Sequence, residues 1–278
     1  MKIVRILQNS LPRFQRIFSL RIQRRAKIVI LSSPEDQLRY LQHELPRWAG
    51  AAYFPENRTI FVKSPRWSGS IFDLQTDVKH ELSHLFLHDM SGDHEMPVWF
   101  DEGLAMLMSG KQVSWWDGIT LSNALLSNKV MDFSQIEKVL QFDEKKARIA
   151  YLESQSAVLF LIQRLPQHNL VRFLQEAKRN GLNEALQSSL QLDSIDFEIK
   201  WYRNLAKRYK WYIFFNFTNL IWLFMLFILT AGYFLVRRRN RKLLRKWTEF
   251  ENLENSETGD PLRWTGGNSG QINDDEDF

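Results

Sequence analysis

The 278-residue sequence predicts an α+β fold with a small N-terminal β-sheet, a mainly helical lobe and one C-terminal transmembrane helix. Three observations predict it. Short apolar strand-like segments occur between residues 27 and 63, helical periodicity dominates residues 70–210, and residues 211–236 carry no charge. Because the strands precede most of the helices and do not alternate with them, an α/β fold is disfavoured.

The β-sheet is predicted from three short segments. These are KIVIL (27–31), GAAYF (50–54) and TIFVK (59–63). The last two segments flank the turn sequence PENR, which predicts that they form a β-hairpin.

Two helices are expected on either side of the first strand. Residues 3–20 place apolar side chains at helical spacing, although Pro12 is a potential helix breaker. Residues 33–45 begin with Ser33 as an expected N-cap and Pro34 at the first helical position.

A long helix predicted over residues 70–90 carries the most informative motif of the chain, HELSH. His80 and His84 are four residues apart, so both imidazoles lie on one helix face and can bind one zinc ion at ~2.0–2.1 Å. Glu81 points to the side of that ion, where it can accept a proton from a zinc-activated water. The motif therefore predicts a metal site with a general base, although the same pattern also occurs by chance.

A catalytic zinc ion needs a third protein ligand. The candidates are His94 and Glu95, in the loop after the motif helix, and Glu102, in a helix predicted over residues 98–108. Glu102 is favoured because a helix–loop–helix hairpin of this length can bring the second helix back against the first.

The remaining histidines are expected to be ordinary. His88 lies eight residues after His80, a rise of ~12 Å along the helix, so it cannot bind the same ion. We expect it on the surface or in a capping position near the helix end. His43 and His168 are interpreted in the same way.

Composition and charge exclude several functions. The absence of cysteine excludes disulfides, thiolate metal sites and cysteine nucleophiles. The net charge of +5 combines about +13 before Trp247 with a C-terminal tail that has nine acidic residues and one basic residue. Because the basic residues form no recognition motif and their densest cluster adjoins the apolar stretch, we expect no nucleic-acid partner. The sequence predicts no particular oligomeric state.

The uncharged stretch is expected to cross a lipid bilayer. Residues 211–236 provide 26 positions, enough for a hydrocarbon core of ~30 Å. Trp211 and Tyr212 open the stretch and Tyr233 lies near its end, as aromatic residues do at membrane interfaces.

Flanking charges predict the orientation of this helix. Residues 237–246 contain seven basic side chains and residues 196–210 contain five, which favours a cytoplasmic C-terminus and an extracytoplasmic N-terminal part at a bacterial cell membrane. Residues 1–25 lack the apolar run of a signal peptide, so either the start lies upstream or the N-terminal part is cytoplasmic. We favour the upstream start. The tail 247–278 is expected to be disordered.

HELSH followed by PVWFDEGLA resembles the peptidase MA-like, gluzincin-type zinc metallopeptidase domains of bacteria. In these domains HExxH is followed by a loop and then by P-x-W-x-x-E-G-x-A. The matching residues are His80, Glu81, His84, Pro97, Trp99, Glu102, Gly103 and Ala105. The resemblance covers roughly residues 25–207. It implies one zinc ion bound by His80, His84 and Glu102, with Glu81 as the general base.

The resemblance also implies a domain organisation and a function. A peptidase domain (1–207) would precede the transmembrane helix (211–236) and a basic juxtamembrane segment with an acidic disordered tail (237–278). The expected function is a membrane-anchored zinc metallopeptidase that acts on peptides or proteins. The alternative is a catalytically silent domain that serves as a membrane-tethered scaffold or sensor, and the presence of Glu81 favours the enzyme.

Three finer expectations complete this interpretation. Tyr151 matches a tyrosine common in the family and is a candidate to stabilise the tetrahedral oxyanion, or else it is a packed helix tyrosine. Residues 50–57 lack the Met-Glu-Asn run of related aminopeptidases, so an endopeptidase is expected. The strand at residues 59–63 is either interior or an edge that pairs with an extended substrate.

Overall fold

In a computed structural model of the chain, the described residues are 2–41, 49–64, 67, 74–91, 94–211 and 217–257. The chain divides into two compact units, Met1–Asn216 and Phe217–Phe278.

The first unit contains a short sheet and a series of helices, in the order that the sequence predicted. Its strands are β1 (Lys27–Leu31), β2 (Ala51–Phe54) and β3 (Thr59–Lys63). Its helices are α1 (Lys2–Phe18), α2 (Pro34–Leu41), α3 (Leu74–Ser91), α4 (Val98–Ser109), α5 (Trp115–Leu126), α6 (Phe133–Ile136), α7 (Glu144–Arg164), α8 (Leu170–Asn180), α9 (Leu182–Leu190) and α10 (Ser194–Tyr209). The α+β class is confirmed.

The sheet has the strand order β1–β3–β2. β2 and β3 form the predicted antiparallel hairpin, with Ala52 opposite Phe61. β1 pairs with β3 in parallel, with Val29 opposite Phe61. β3 therefore lies between two partners, and all five of its residues are buried. The alternative of β3 as a substrate-pairing edge is wrong, because β1 already occupies its second side.

The N-terminal helix α1 runs continuously through Pro12. Its apolar face explains this, because Phe14 and Phe18 are buried and each ring centroid lies 5.5 Å from that of Phe86 in α3. This packing offsets the backbone hydrogen bond that proline cannot make.

Helix α2 begins as predicted. The backbone N–H of Asp36 donates to the Ser33 hydroxyl over 3.3 Å, which is the expected N-cap contact. The predicted continuation to residue 45 and the predicted start of α3 at residue 70 lie outside the described residues.

Two central helices connect the sheet to the rest of the core. α3 contacts β2 and β3 on one side and α4 on another, and α4 also contacts α7. Gly103 allows the close approach of α4 to α7, because a Cβ atom at this position would lie 2.2 Å from the carbonyl oxygen of Ser154. This contact sets the position of α4, and with it the residues that α4 presents toward α3.

The later helices cover α4 and α7. Phe160 of α7 meets Phe197 of α10 with ring centroids 5.5 Å apart, and the indole N–H of Trp201 donates to the Ser156 hydroxyl over 3.3 Å. Phe197 and then Trp201 of α10 contact Phe160 and then Ser156 of α7, so the two helices are antiparallel. The prediction of a mainly helical lobe after the sheet is confirmed.

The second unit contains one long helix, α11 (Phe217–Glu257). This helix contains one candidate membrane span, Ile221–Phe250, whose first part, up to Val236, is uncharged. Residues 237–257, expected as a basic segment and the start of a disordered tail, are helical, which fits their many helix-favouring Leu, Arg, Lys and Glu residues. Residues 212–216 and 258–278, which include parts of the predicted span and tail, lie outside the described residues.

Candidate metal centre

Helix α3 presents the motif histidines on one face. His80 and His84 are one turn apart, with ring centroids separated by 4.8 Å and an interplanar angle of 80°. The opposite face is held in the core by Leu82, Leu85 and Phe86, each no more than 2% exposed. Because the helix is anchored along its buried face, the two imidazoles are held in fixed positions.

Helix α4 brings Glu102 to these histidines. Oε2 of Glu102 lies 3.2 Å from Nε2 of His80 and 3.6 Å from Nε2 of His84. One ligand atom from each of the three residues lies within 4.8 Å of the others. Trp99, one turn earlier in α4, is stacked on Phe133 with ring centroids 4.3 Å apart, which anchors the start of the helix.

The chemistry of this His–His–Glu group fits a metal cation. Oε2 of Glu102 is buried and accepts no hydrogen bond from any described residue, although two imidazole nitrogens face it. A buried anionic oxygen is costly unless a cation neutralises it. Two imidazole nitrogens and one carboxylate oxygen are also a ligand set found at catalytic zinc sites.

Asp101 also contacts the site, although its position in the sequence did not predict this. Its Oδ1 lies 2.6 Å from Nδ1 of His84, the ring nitrogen that faces away from Glu102. A carboxylate in this position orients the ring and makes the other nitrogen a better metal ligand. The available signal was its place directly before Glu102 in the motif WFDEGLA.

The carboxylates around His84 create a strongly negative environment. Burial lowers the pKa of His84, but Asp101 and Glu102 outweigh burial and raise it to about 10. The field that would hold a proton on this ring also attracts a metal cation.

Glu81 lies beside the His–His–Glu group and is only 7% exposed. Burial raises the pKa of its carboxyl group, while His80 and His84 oppose that rise. A raised pKa brings a carboxylate closer to the range in which it can accept a proton and then return it near neutral pH.

Tyr151 of α7 lies on another side of the group. Its ring meets that of His80 edge to face, with centroids 6.3 Å apart. Burial, Glu102 and Glu81 all raise the pKa of Tyr151 well above its ordinary value, so its hydroxyl keeps its proton. The candidate tyrosine is therefore close to His80 and is able to donate a hydrogen bond.

The other candidate ligands lie elsewhere. Nε2 of His94 is 3.3 Å from the carbonyl oxygen of Arg179 at the end of α8, and Glu95 is exposed. His88 is exposed near the end of α3, as predicted. His43 and the side chain of His168 lie outside the described part of the chain.

Comparison with known proteins agrees with this geometry. The family model of the Peptidase MA superfamily matches residues 7–207, which contain the three helices of the site, α3, α4 and α7. A search of curated proteins returned no match. Since the family model covers well over half of the sequence, the chain belongs to the Peptidase MA superfamily.

Proposed function

We propose that this protein is a membrane-anchored zinc-dependent metallopeptidase and that residues 1–207 form its peptidase domain. One observation carries the proposal. The group formed by His80, His84 and Glu102 encloses a buried carboxylate oxygen that accepts no hydrogen bond from a described residue, and the buried Glu81 interacts electrostatically with all three side chains. Membership of the superfamily supports the same function.

His80, His84 and Glu102 would hold the zinc ion, one per chain. When bound, zinc supplies Lewis-acid activation of a water molecule and of the substrate carbonyl. Zinc is favoured because its catalytic sites combine imidazole and carboxylate ligands and keep one position open. Asp101 would keep the ring of His84 in the orientation required for binding.

Glu81 would act as the general base. Its carboxylate accepts the proton of the attacking water and later delivers that proton to the leaving amine. Its burial next to the ligand residues supports this role, because a desolvated carboxylate binds a proton more readily than an exposed one.

Tyr151 would donate a hydrogen bond to the oxyanion of the tetrahedral intermediate. Its position beside His80 and its raised pKa support a donor role. The enzyme is proposed to be an endopeptidase, because the Met-Glu-Asn run of related aminopeptidases has no counterpart in residues 50–57.

The membrane anchor would be the apolar part of α11. Within the candidate span, the uncharged residues 217–236 of α11 provide 20 positions, which is the length of one crossing. The seven basic residues at 237–246 support a cytoplasmic C-terminus and an extracytoplasmic peptidase domain.

The test compares the full chain, reconstituted in lipid vesicles and loaded with zinc, with its E81Q variant on a mixed peptide library. We expect wild type to cleave peptides internally, and E81Q to bind one zinc ion but not to cleave. E95Q is the matched control, since Glu95 is an exposed glutamate in the nearby loop, and it should retain activity. Equal cleavage by E81Q and wild type would disprove the mechanism. Zinc binding without cleavage by any of the three would favour the scaffold or sensor.

A further inference from the structure

Two adjacent tryptophans are exposed at the start of α5. Trp115 is 49% exposed and Trp116 is 70% exposed. Large aromatic side chains grouped on a surface are characteristic of interaction sites. A capping box holds this helix start in place, because the Ser114 hydroxyl accepts from the backbone N–H of Asp117 and the Asp117 carboxylate accepts from the backbone N–H of Ser114. The tryptophans are therefore presented on a well-fixed turn.

An ion pair connects this turn to α7. Nη2 of Arg148 lies 2.8 Å from Oδ1 of Asp117. Arg148 is close to the N-terminus of α7, which begins at Glu144. The tryptophan pair therefore lies at the N-terminal end of α7.

The last helix of the first unit, α10, also ends near the N-terminal end of α7. α10 is antiparallel to α7, with Trp201 beside Ser156. The contact between Trp201 and Ser156 is the common reference point of the two helices. Tyr209 lies eight residues after Trp201 on α10, and Arg148 lies eight residues before Ser156 on α7. Because the helices are antiparallel, both residues lie ~12 Å from that contact in the same direction. Tyr209 therefore lies at the end of the unit that carries Arg148 and the tryptophan pair.

The last described residue of the first unit lies at this end. Trp211, two residues after Tyr209, is 69% exposed. Leu140, in the turn that leads into α7, is 73% exposed. We name these four exposed residues, Trp115, Trp116, Leu140 and Trp211, the tryptophan face.

Basic residues surround the tryptophan face. The three segments that meet at this end, 114–117, 143–148 and 207–211, contain six basic and three acidic residues. One of the three acidic residues, Asp117, is paired with Arg148. The face thus combines exposed indole rings with an excess of positive charge.

We propose that the tryptophan face docks onto the lipid headgroup region of the bilayer in which α11 is anchored. This inference rests on the membrane anchoring in the proposed function. Indole rings prefer the membrane interface, and lysine and arginine side chains attract anionic headgroups. The six peptide steps from Trp211 to Phe217, where α11 begins, span at most ~22 Å, so the tether starts at this face and is short.

Docking would place the candidate metal centre near the membrane surface. Tyr151, which lies beside His80 of the metal centre, follows Arg148 by only three residues, a rise of ~4.5 Å along α7. The substrate class that fits this placement is a peptide segment emerging from, or lying on, the bilayer. The tryptophans could instead contact a soluble peptide substrate, but the surrounding positive charge and the adjacent chain exit favour lipid.

Because the chain has no cysteine, single cysteines can be introduced into the full-length protein and labelled with a nitroxide. One label replaces the exposed Gln112, close to the tryptophans. The matched control replaces Leu126, which is 51% exposed at the opposite end of α5, ~15 Å from Trp116. A third label replaces Phe227 in α11. The protein is reconstituted in phosphatidylcholine vesicles containing phosphatidylglycerol, and label accessibility to oxygen and to a nickel chelate is measured.

We expect the Gln112 label to be shielded from nickel and accessible to oxygen, and the Leu126 label to be accessible to nickel. The double substitution W115S/W116S should move the Gln112 label into water while the Phe227 label stays in the bilayer. An aqueous Gln112 label in the wild type, with Phe227 inserted, would overturn docking alone. An aqueous Phe227 label would overturn the anchoring itself. If W115S/W116S left the Gln112 label unchanged but raised KM for a soluble peptide, the tryptophans would bind substrate and the lipid proposal would be wrong.

Discussion

Two buried glutamates on neighbouring helices, Glu102 and Glu153, differ in what surrounds them. Glu102 of α4 faces two imidazole nitrogens, at 3.2 and 3.6 Å. Glu153 of α7 is fully buried, and its Oε2 accepts the backbone N–H of Met131 over 3.2 Å. Burial raises the pKa of Glu153 to about 8 against the opposing effect of that hydrogen bond, so at neutral pH this side chain is mostly a neutral acid.

The comparison shows that burial of a carboxyl group does not by itself indicate a metal or catalytic site. The neighbouring donors decide whether the group stays an anion that binds a cation or becomes a neutral acid that caps a loop. Gly103 and Ser154, the residues that follow the two glutamates, form a close contact between α4 and α7, because a Cβ atom on Gly103 would lie 2.2 Å from the carbonyl oxygen of Ser154. Four substitutions test this difference, from the largest expected effect to the smallest.

The substitution E102Q should have the largest effect, loss of zinc binding and of peptidase activity. Zinc sites with four protein ligands bind with ~10–16 kcal/mol, so one charged ligand contributes roughly 3 kcal/mol, which is about 150-fold in affinity. Competition with a chelator measures the change. E153Q is the matched control and should bind zinc like wild type. Equal zinc affinities of E102Q and E153Q would remove the distinction between the two glutamates.

The substitution E153Q should instead change the pH dependence of stability. Below pH 4.5, the ordinary pKa of glutamate, folded and unfolded chains both hold the proton, and the stability that Glu153 contributes is fully present. Above that pH the unfolded chain releases its proton first. The free energy of unfolding then falls with rising pH, by up to ~1.4 kcal/mol per unit, until about pH 8.

Glutamine keeps the acceptor for Met131 and removes the titration. E153Q should therefore gain stability relative to wild type as pH rises from 5 to 8, as measured by urea unfolding of the full chain in detergent at several pH values. Parallel stability curves for the two proteins would show that Glu153 is not a neutral acid in the fold. E102Q in the same experiment controls for the removal of any buried carboxyl group.

The substitution G103A tests the contact that links the two regions. The added Cβ would lie 2.2 Å from a backbone oxygen of α7, so α4 and α7 would have to separate. We expect a loss of ~1–3 kcal/mol in the free energy of unfolding, together with weaker zinc binding because Glu102 moves with α4. In G232A, the control, the added Cβ would meet no atom within 4 Å. Unchanged stability of G103A would contradict this close helix contact.

The substitution D101N should have the smallest effect. The asparagine can still hydrogen-bond to His84 but carries no charge, and loss of such a partner lowers metal affinity by ~10–100-fold. D89N is the control, because Asp89 pairs with Arg58 away from the site, and its zinc affinity should equal that of wild type. An unchanged zinc affinity for D101N would assign Asp101 a role in packing alone.

Local patterns determine much of this protein from the sequence alone. The hairpin of β2 and β3, the cap at Ser33 and the helices α3 and α4 follow from spacing and capping rules that act within a few residues. The juxtaposition of His80 and His84 follows from helix geometry. Of the three candidates for a third ligand, Glu102 is the one that the fold brings against the two histidines, because a short connection between two helices limits where the second can return.

The tertiary structure decided what depends on partners distant in the chain. Sequence patterns identified β1 as a strand, but only the fold shows that it pairs with β3 and makes β3 an interior strand. Asp101 and Glu153 gained their roles from contacts with His84 and Met131, which are 17 and 22 residues away. The physical reason is that helix and turn rules act over a few residues, whereas the donors around a buried carboxyl group are set by the packing of whole helices.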